Sequence, residues 1–198
     1  MRHLLLTAAS VTVLAACGTA ETTPTATLQR SAAAGHAGHG ASNGKALSAS
    51  QNQGVAKVRN ATARFHDRAV ATAAGYTTQY PAGCATTNTP EGAQGFHFLN
   101  TDLVDATVDL LNPELVMYEP RPDGSLQLVG VDYIVPLELS AEPPTLLGVP
   151  FMRNEPLGVW ALHIWAWRPN PTGATRTDGM FAPWNPAVSC EFADRVTL

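Results

Sequence analysis

The stretch Val159-Trp160-Ala161-Leu162-His163-Ile164-Trp165-Ala166-Trp167 contains no Asp, Glu, Lys or Arg and no turn former. In a strand, successive side chains point to opposite faces. Ala161, His163, Trp165 and Trp167 would therefore share one face, and Trp160, Leu162, Ile164 and Ala166 the other. Both faces are largely apolar, which predicts a central strand covered by a helix on one side and by loops or a second sheet on the other. Toward the N-terminus, 114–119 and 125–135 are rich in Val, Leu and Tyr. They flank Pro120-Arg121-Pro122-Asp123-Gly124, whose Asp-Gly pair predicts a hairpin. Asn112-Pro113, Asn170-Pro171 and Asn185-Pro186 punctuate the segment as turn starts.

Further upstream, Val55, Val58, Thr62, Phe65, Ala69 and Ala73 recur at three- and four-residue steps, the spacing of one helix face. Ser50 and Gln53 fit a capping box before this helix, and Gly75 fits a stop after it. The opposite face carries Arg59, Arg64, His66, Asp67 and Arg68 and reads as solvated surface. From Gly75 through Pro81, Gly83 and Pro90 the chain reads as turns that bring Cys84 toward the C-terminus. One helix and several antiparallel strands give the class α+β, with an N-terminal amphipathic helix packed on a mainly antiparallel sheet.

At the N-terminus, Arg2 precedes an uncharged, mostly apolar run from Leu4 to Val13 that is too short to span a bilayer. Leu14-Ala15-Ala16-Cys17 follows it and resembles the lipobox of bacterial lipoproteins. That resemblance implies a signal peptide over 1–16 and a diacylglycerol lipid, with palmitate-type chains, on Cys17 as the mature N-terminus. An ordinary signal peptide with an incidental cysteine is the alternative. From Gly18 to Ser48 the chain is mostly Ala, Thr, Ser, Gly and Pro, a composition that buries too little apolar surface to fold. The predicted organisation is a signal over 1–16, a lipidated cysteine and disordered tether over 17–48, and a single α+β domain over 49–198. The domain would stand on the extracytoplasmic face of the cell membrane or the outer membrane, held by more than one acyl chain. His36 and His39, set among glycines in the tether, form a weak Cu(II), Ni(II) or Zn(II) pair or a chance feature of low complexity.

With Cys17 committed to lipid, Cys84 and Cys190 remain, and a pair in an oxidising compartment most simply forms one disulfide. Two free thiols that ligate a metal are the alternative, although neither lies in a C-x-x-C spacing. Charged residues make up only 14% of the 198, the net charge is −4 and no basic run occurs, so a nucleic-acid partner is set aside. The chain has no G-x-S-x-G elbow, P-loop, H-E-x-x-H or dinucleotide-binding glycine run.

His97, in Gly95-Phe96-His97-Phe98-Leu99-Asn100, and His163 both lie in apolar surroundings. A buried neutral imidazole needs partners for its ring nitrogens. Glu114, Glu119 and Asp132 are the candidate carboxylates, and Asp132 stands out because it interrupts an apolar strand between Val131 and Tyr133. Two histidines and one carboxylate match a divalent transition-metal site with open positions, for zinc or copper. The same residues also fit structural histidines or a general acid/base pair. Asn100, Tyr133, Trp165 and Trp167 complete the candidate ligand-binding set, with the two tryptophans serving either as a ring platform or as core.

Several segments together are similar to a family of exported bacterial proteins of unassigned function. They are Gly95-Phe96-His97 with Asn100, Tyr118-Glu119-Pro120, Val131-Asp132-Tyr133, the His163 strand, Asn170-Pro171 and Phe181-Ala182-Pro183-Trp184-Asn185-Pro186-Ala187-Val188-Ser189-Cys190. The likeness covers residues from about 55 to 190, and implies that the two histidines, the Asn-Pro turns and the paired cysteines belong to one domain type. This chain departs from it in a longer polar loop over 172–180. The reading that results is an anchored extracytoplasmic domain that binds a small ligand or a divalent metal ion through a histidine-lined pocket. The alternatives are a hydrolase- or isomerase-like enzyme using His97 or His163 with Asp132, and a structural envelope or interaction protein.

Overall fold

Ser48 opens the first helix because its backbone is extended and its hydroxyl accepts from Gln51 N–H at 3.1 Å, while the Gln51 side chain accepts from Ser48 N–H at 3.0 Å. The box expected at Ser50 and Gln53 therefore forms two residues earlier, and Ser50 lies inside the helix. The computed structural model describes residues 46–171 and 179–198, all within one structural unit. Cys17, the expected signal and most of the tether, with His36 and His39, lie outside the described residues.

Helix α1 runs Ala49–Thr62 and tightens into a 3-10 turn over Ala63–His66. Asp67 then adopts extended angles, and its carboxylate accepts from Ala69 N–H at 2.9 Å to start α2, Arg68–Ala73. This restart changes the phase of the apolar face. Val55, Val58, Thr62 and Phe65 are buried as their spacing predicts, but Ala69 and Ala73 are exposed and Ala71 takes the buried position.

Six strands form one antiparallel sheet in the order β1-β2-β3-β4-β8-β7. They are β1 (Thr78–Thr86), β2 (Ala93–Leu99), β3 (Leu115–Pro120), β4 (Leu126–Pro136), β7 (Met152–Asn154) and β8 (Val159–Ile164). The two-residue strands β5 (Thr145–Leu146) and β6 (Val149–Pro150) pair separately. The expected hairpin joins β3 to β4 through Asp123-Gly124. The region expected to be turns after Gly75 is instead β1, an edge strand whose pairing with β2 slips between Gln79 and Cys84. Pro81 and Gly83 sit inside that slip, which an edge strand tolerates because one row of its backbone groups has no partner to lose.

β8 is interior, paired with β4 on one side and β7 on the other, and every residue in it is buried. It ends earlier than its apolar run. Trp165 N–H donates to Met180 O at 2.9 Å, and Trp167 and Arg168 N–H both reach Val129 O, at 3.1 and 3.0 Å. This kink breaks the alternation. Trp165 stays in a cluster with Met117 and Val129, whereas Trp167 packs against the main core and donates from Nε1 to Thr62 Oγ1 at 3.2 Å.

The main core gathers Val55, Val58 and Phe65 with Phe98, Tyr118, Tyr133, Leu162 and Ile164 from one face of the sheet. Tyr118 donates its hydroxyl to Phe65 O at 2.6 Å, and Arg59 donates to Ala166 O at 2.6 Å. Cys84 and Cys190 form a disulfide, with Cα atoms 5.9 Å apart, that fastens β1 to the C-terminal segment. Among the described residues, no helix is long and apolar enough to cross a membrane.

Candidate metal centre

The sheet face away from the helices brings together His97 from β2, Asp132 from β4 and His163 from β8. Asp132 and His163 are direct cross-strand partners. His97 pairs with Met117, and Met117 pairs with Gly130, two residues before Asp132 and so on the same face. Residues distant along the chain thus meet through register alone. Gly95 helps set that register: its φ is +85°, and a Cβ there would lie 2.3 Å from Tyr118 O, so only glycine allows β2 to approach β3 this closely.

One candidate ligand atom from each of the three side chains lies within 4.8 Å of the others. His163 Nε2 is 3.6 Å from Asp132 Oδ2, and the two imidazole centroids are 5.8 Å apart with planes at 81°. Two ligands on one tetrahedral zinc lie roughly 3.4 Å apart, given bonds of about 2.0–2.2 Å, so the histidine–carboxylate spacing is close to what an ion needs. The group is buried: His97 is 2% exposed, Asp132 5% and His163 9%. His97 Nδ1 and Asp132 Oδ1 have no hydrogen-bond partner among the described residues. An orphaned buried polar atom costs about 1–3 kcal/mol, a penalty that a bound ion would remove.

Burial dominates the protonation of all three. It lowers His97 to about 4, against the pull of Asp132 and the Gly95 carbonyl, and lowers His163 to about 4. It pushes Asp132 up to about 7, opposed by His97 and the backbone of Tyr133 and Leu162. Both imidazoles are therefore neutral at pH 7, the form that ligates metal. Trp165 stacks on His163, with ring centroids 6.2 Å apart and planes at 11°, and is fixed by donating Nε1 to Ala182 O at 2.7 Å.

A cavity of about 30 Å³ adjoins all three residues, and a second of about 220 Å³ meets it at Gln94, Asn154, Ala161 and His163. Gln94 and Asn154 carried no signal in the sequence. Asn154 ends the three-residue strand β7, too short to read from periodicity, and Gln94 is one polar residue in the unforeseen strand β2.

Of the other candidates, Trp165 reaches the group and three do not. Tyr133 lies in the main core and donates its hydroxyl to Leu110 O at 2.8 Å. Asn100 caps a turn, accepting from Asp102 N–H at 3.1 Å and donating to Ala74 O at 3.0 Å. Trp167 packs edge-to-face on His66, with centroids 4.4 Å apart. Glu114 is buried elsewhere, accepting from Ile134 N–H at 3.2 Å. Glu119 accepts from Ser189 N–H at 3.1 Å and has Arg168 at 3.7 Å and Arg121 at 3.9 Å. Cys84 and Cys190 are joined to each other, which removes the alternative of two free thiol ligands.

These environments fix how stability depends on pH in the metal-free protein. Burial raises Glu114 from 4.5 to about 8 and Asp132 from 3.8 to about 7, so the folded chain keeps protons that the unfolded chain has released. His97 and His163 fall from 6.5 to about 4, so between those values the folded chain lacks protons that the unfolded chain holds. The two pairs offset each other up to pH 6.5. Above it only the carboxyls act, and stability falls between pH 6.5 and 8, by at most about 1.4 kcal/mol per pH unit for each group. Urea midpoints measured across this range should drop, and the drop should be smaller in Glu114→Gln. A midpoint that rises from pH 6.5 to 8 would contradict these environments.

Compared with known proteins, the chain matches no family model, no curated protein and no solved structure.

Proposed function

We propose that this protein is a membrane-anchored extracytoplasmic lipoprotein whose folded domain binds a divalent transition-metal ion, zinc or copper, through His97, Asp132 and His163. The observation that carries the reading is a buried set of two imidazoles and a carboxylate, with ligand atoms within 4.8 Å and two of their polar atoms lacking partners among the described residues. Three protein ligands leave a coordination position for water or a small molecule, and a cavity of about 30 Å³ adjoins all three residues. Anchoring rests on Leu14-Ala15-Ala16-Cys17, which resembles a lipobox.

The metal reading is tested by titrating zinc and copper into protein carrying His36→Ala and His39→Ala, so that the tether contributes no imidazole. Retention of about one ion per chain after dialysis supports it, and no retention of either ion overturns it. The anchor is tested by Cys17→Ser, which should shift the protein from the detergent phase to the aqueous phase. Unchanged partitioning would remove the lipid from the account.

A second reading, an acid/base enzyme, is favoured by one observation: Asp132 is pushed up to about 7 beside a histidine and a cavity. It predicts turnover by metal-free protein that follows a bell-shaped pH profile and is lost in Asp132→Asn. Turnover that requires metal would return the site to the first reading.

A further inference from the structure

The larger cavity, about 220 Å³, falls below the roughly 300–1,000 Å³ of drug-sized sites, so it accepts a ligand of few atoms. Its walls include Val149, Met152, Phe181 and Trp184, which are apolar. Arg153 is the one arginine or lysine among its described lining residues, and it is already engaged, ion-paired with Glu155 and lying over the Trp160 ring with its guanidinium carbon 5.3 Å from the centroid. The pocket's described walls therefore supply no uncommitted positive charge.

Two polar amides, Gln94 and Asn154, line both cavities. Gln94 donates Nε2 to Pro183 O at 2.7 Å, and Asn154 accepts from Leu157 N–H at 3.3 Å through Oδ1. These bonds commit one end of each amide, so the Gln94 carbonyl and the Asn154 NH₂ are the ends left for a ligand. In the smaller cavity, a divalent ion held by two neutral imidazoles and one carboxylate would carry a net charge of about +1 into a buried site. A single negative charge offsets that, whereas a dianion overshoots it. Positive charge at the inner end, hydrogen-bonding amides in the middle and apolar walls outside form an ordered sequence.

We propose that this pocket binds a small monocarboxylate: its carboxylate completes the coordination of the ion at His97, Asp132 and His163 and accepts from the Asn154 amide, and its short apolar chain lies along Met152, Phe181 and Trp184. The inference rests on the metal reading above. The probes are hexanoate, acetate and 1-hexanol, titrated calorimetrically into zinc-loaded and metal-free protein carrying His36→Ala and His39→Ala. Hexanoate has the charge and the chain, and each of the others has one of them. It should bind the zinc-loaded protein at least about tenfold more tightly than acetate, since a buried methylene contributes about 0.8 kcal/mol, and at least about tenfold more tightly than 1-hexanol, which has no carboxylate for the ion.

Cobalt-loaded protein should change its visible absorption on addition of hexanoate and keep it unchanged with 1-hexanol, because only the carboxylate enters the coordination shell. Met152 is 47% exposed, so Met152→Asp should fold, and it should weaken hexanoate binding at least about tenfold with zinc stoichiometry unchanged. Zinc retention with no preference for hexanoate over acetate, or equal hexanoate affinity with and without zinc, overturns the carboxylate pocket and leaves the metal reading standing. Failure to retain zinc overturns both.

Discussion

Asp132→Asn, His97→Ala and His163→Ala should each lower zinc affinity by at least about 100-fold, more than the 10- to 100-fold typical of losing an outer-shell partner. Asparagine keeps the shape of aspartate but removes the charge that draws in the cation, and each alanine leaves only two ligands. Asp132→Asn is the cleanest of the three. Burial already pushes this carboxyl up to about 7, so replacing it with a neutral amide relieves an ionisation cost above that pH. Its metal-free form should therefore be at least as stable as wild type at pH 8, which separates lost binding from lost folding. The stabilisation that metal gives wild type, about 2.7 kcal/mol at 100 times Kd, should fall to about 0.4 kcal/mol or less in the variant at the same metal concentration. Equal thermal shifts with zinc in wild type and Asp132→Asn would place the ion elsewhere.

The second large effect concerns the disulfide. Cys84 and Cys190 are 106 residues apart, and cross-linking a loop of that size stabilises the fold by up to about 4.7 kcal/mol in the chain-entropy model. β1 is an edge strand with an interrupted ladder, and the bond ties it to the C-terminal segment as well as to its neighbour β2. The C-terminal segment brought with it places Val188 in the cluster with Met117 and Trp165, and Ser189 on Glu119. Cys84→Ser combined with Cys190→Ser should lower the unfolding free energy from urea titration by roughly 2–5 kcal/mol. A loss below about 1 kcal/mol would mean that the unfolded chain is already constrained near these positions.

What could be read from the sequence follows from how strongly each element repeats its own pattern. β8 was legible because its residues are apolar on both faces, and β3 and β4 because a short Asp-Gly turn separates two apolar runs. The helix was legible in its first three turns and lost after Phe65, because Asp67 restarts it in a new phase and periodicity cannot register a phase change. β1 is hidden in the sequence because Pro81 and Gly83 are turn formers, and its edge position and register slip make them acceptable in a strand. Alternation misplaces Trp167 because it assumes a straight strand, whereas Val129 O captures two successive N–H groups and bends the chain.

The candidate centre was legible in composition and hidden in geometry. His97, His163 and Asp132 each stood out as a polar residue in apolar surroundings, which any buried titratable group does. Their meeting depends on the register of four adjacent strands, one of which was not anticipated. Asn100 and Tyr133 lie close to these residues in sequence but not in space. Strand alternation sends Tyr133 to the other face, and a turn takes Asn100 to Ala74.

X-ray absorption at the zinc edge, on protein carrying His36→Ala and His39→Ala and loaded with one equivalent, measures the centre directly. It should show two imidazole nitrogens at about 2.0–2.1 Å and a carboxylate oxygen at about 2.0–2.2 Å, with one further light ligand. A shell of oxygens alone, or of a single imidazole, would show that His97, Asp132 and His163 do not share an ion.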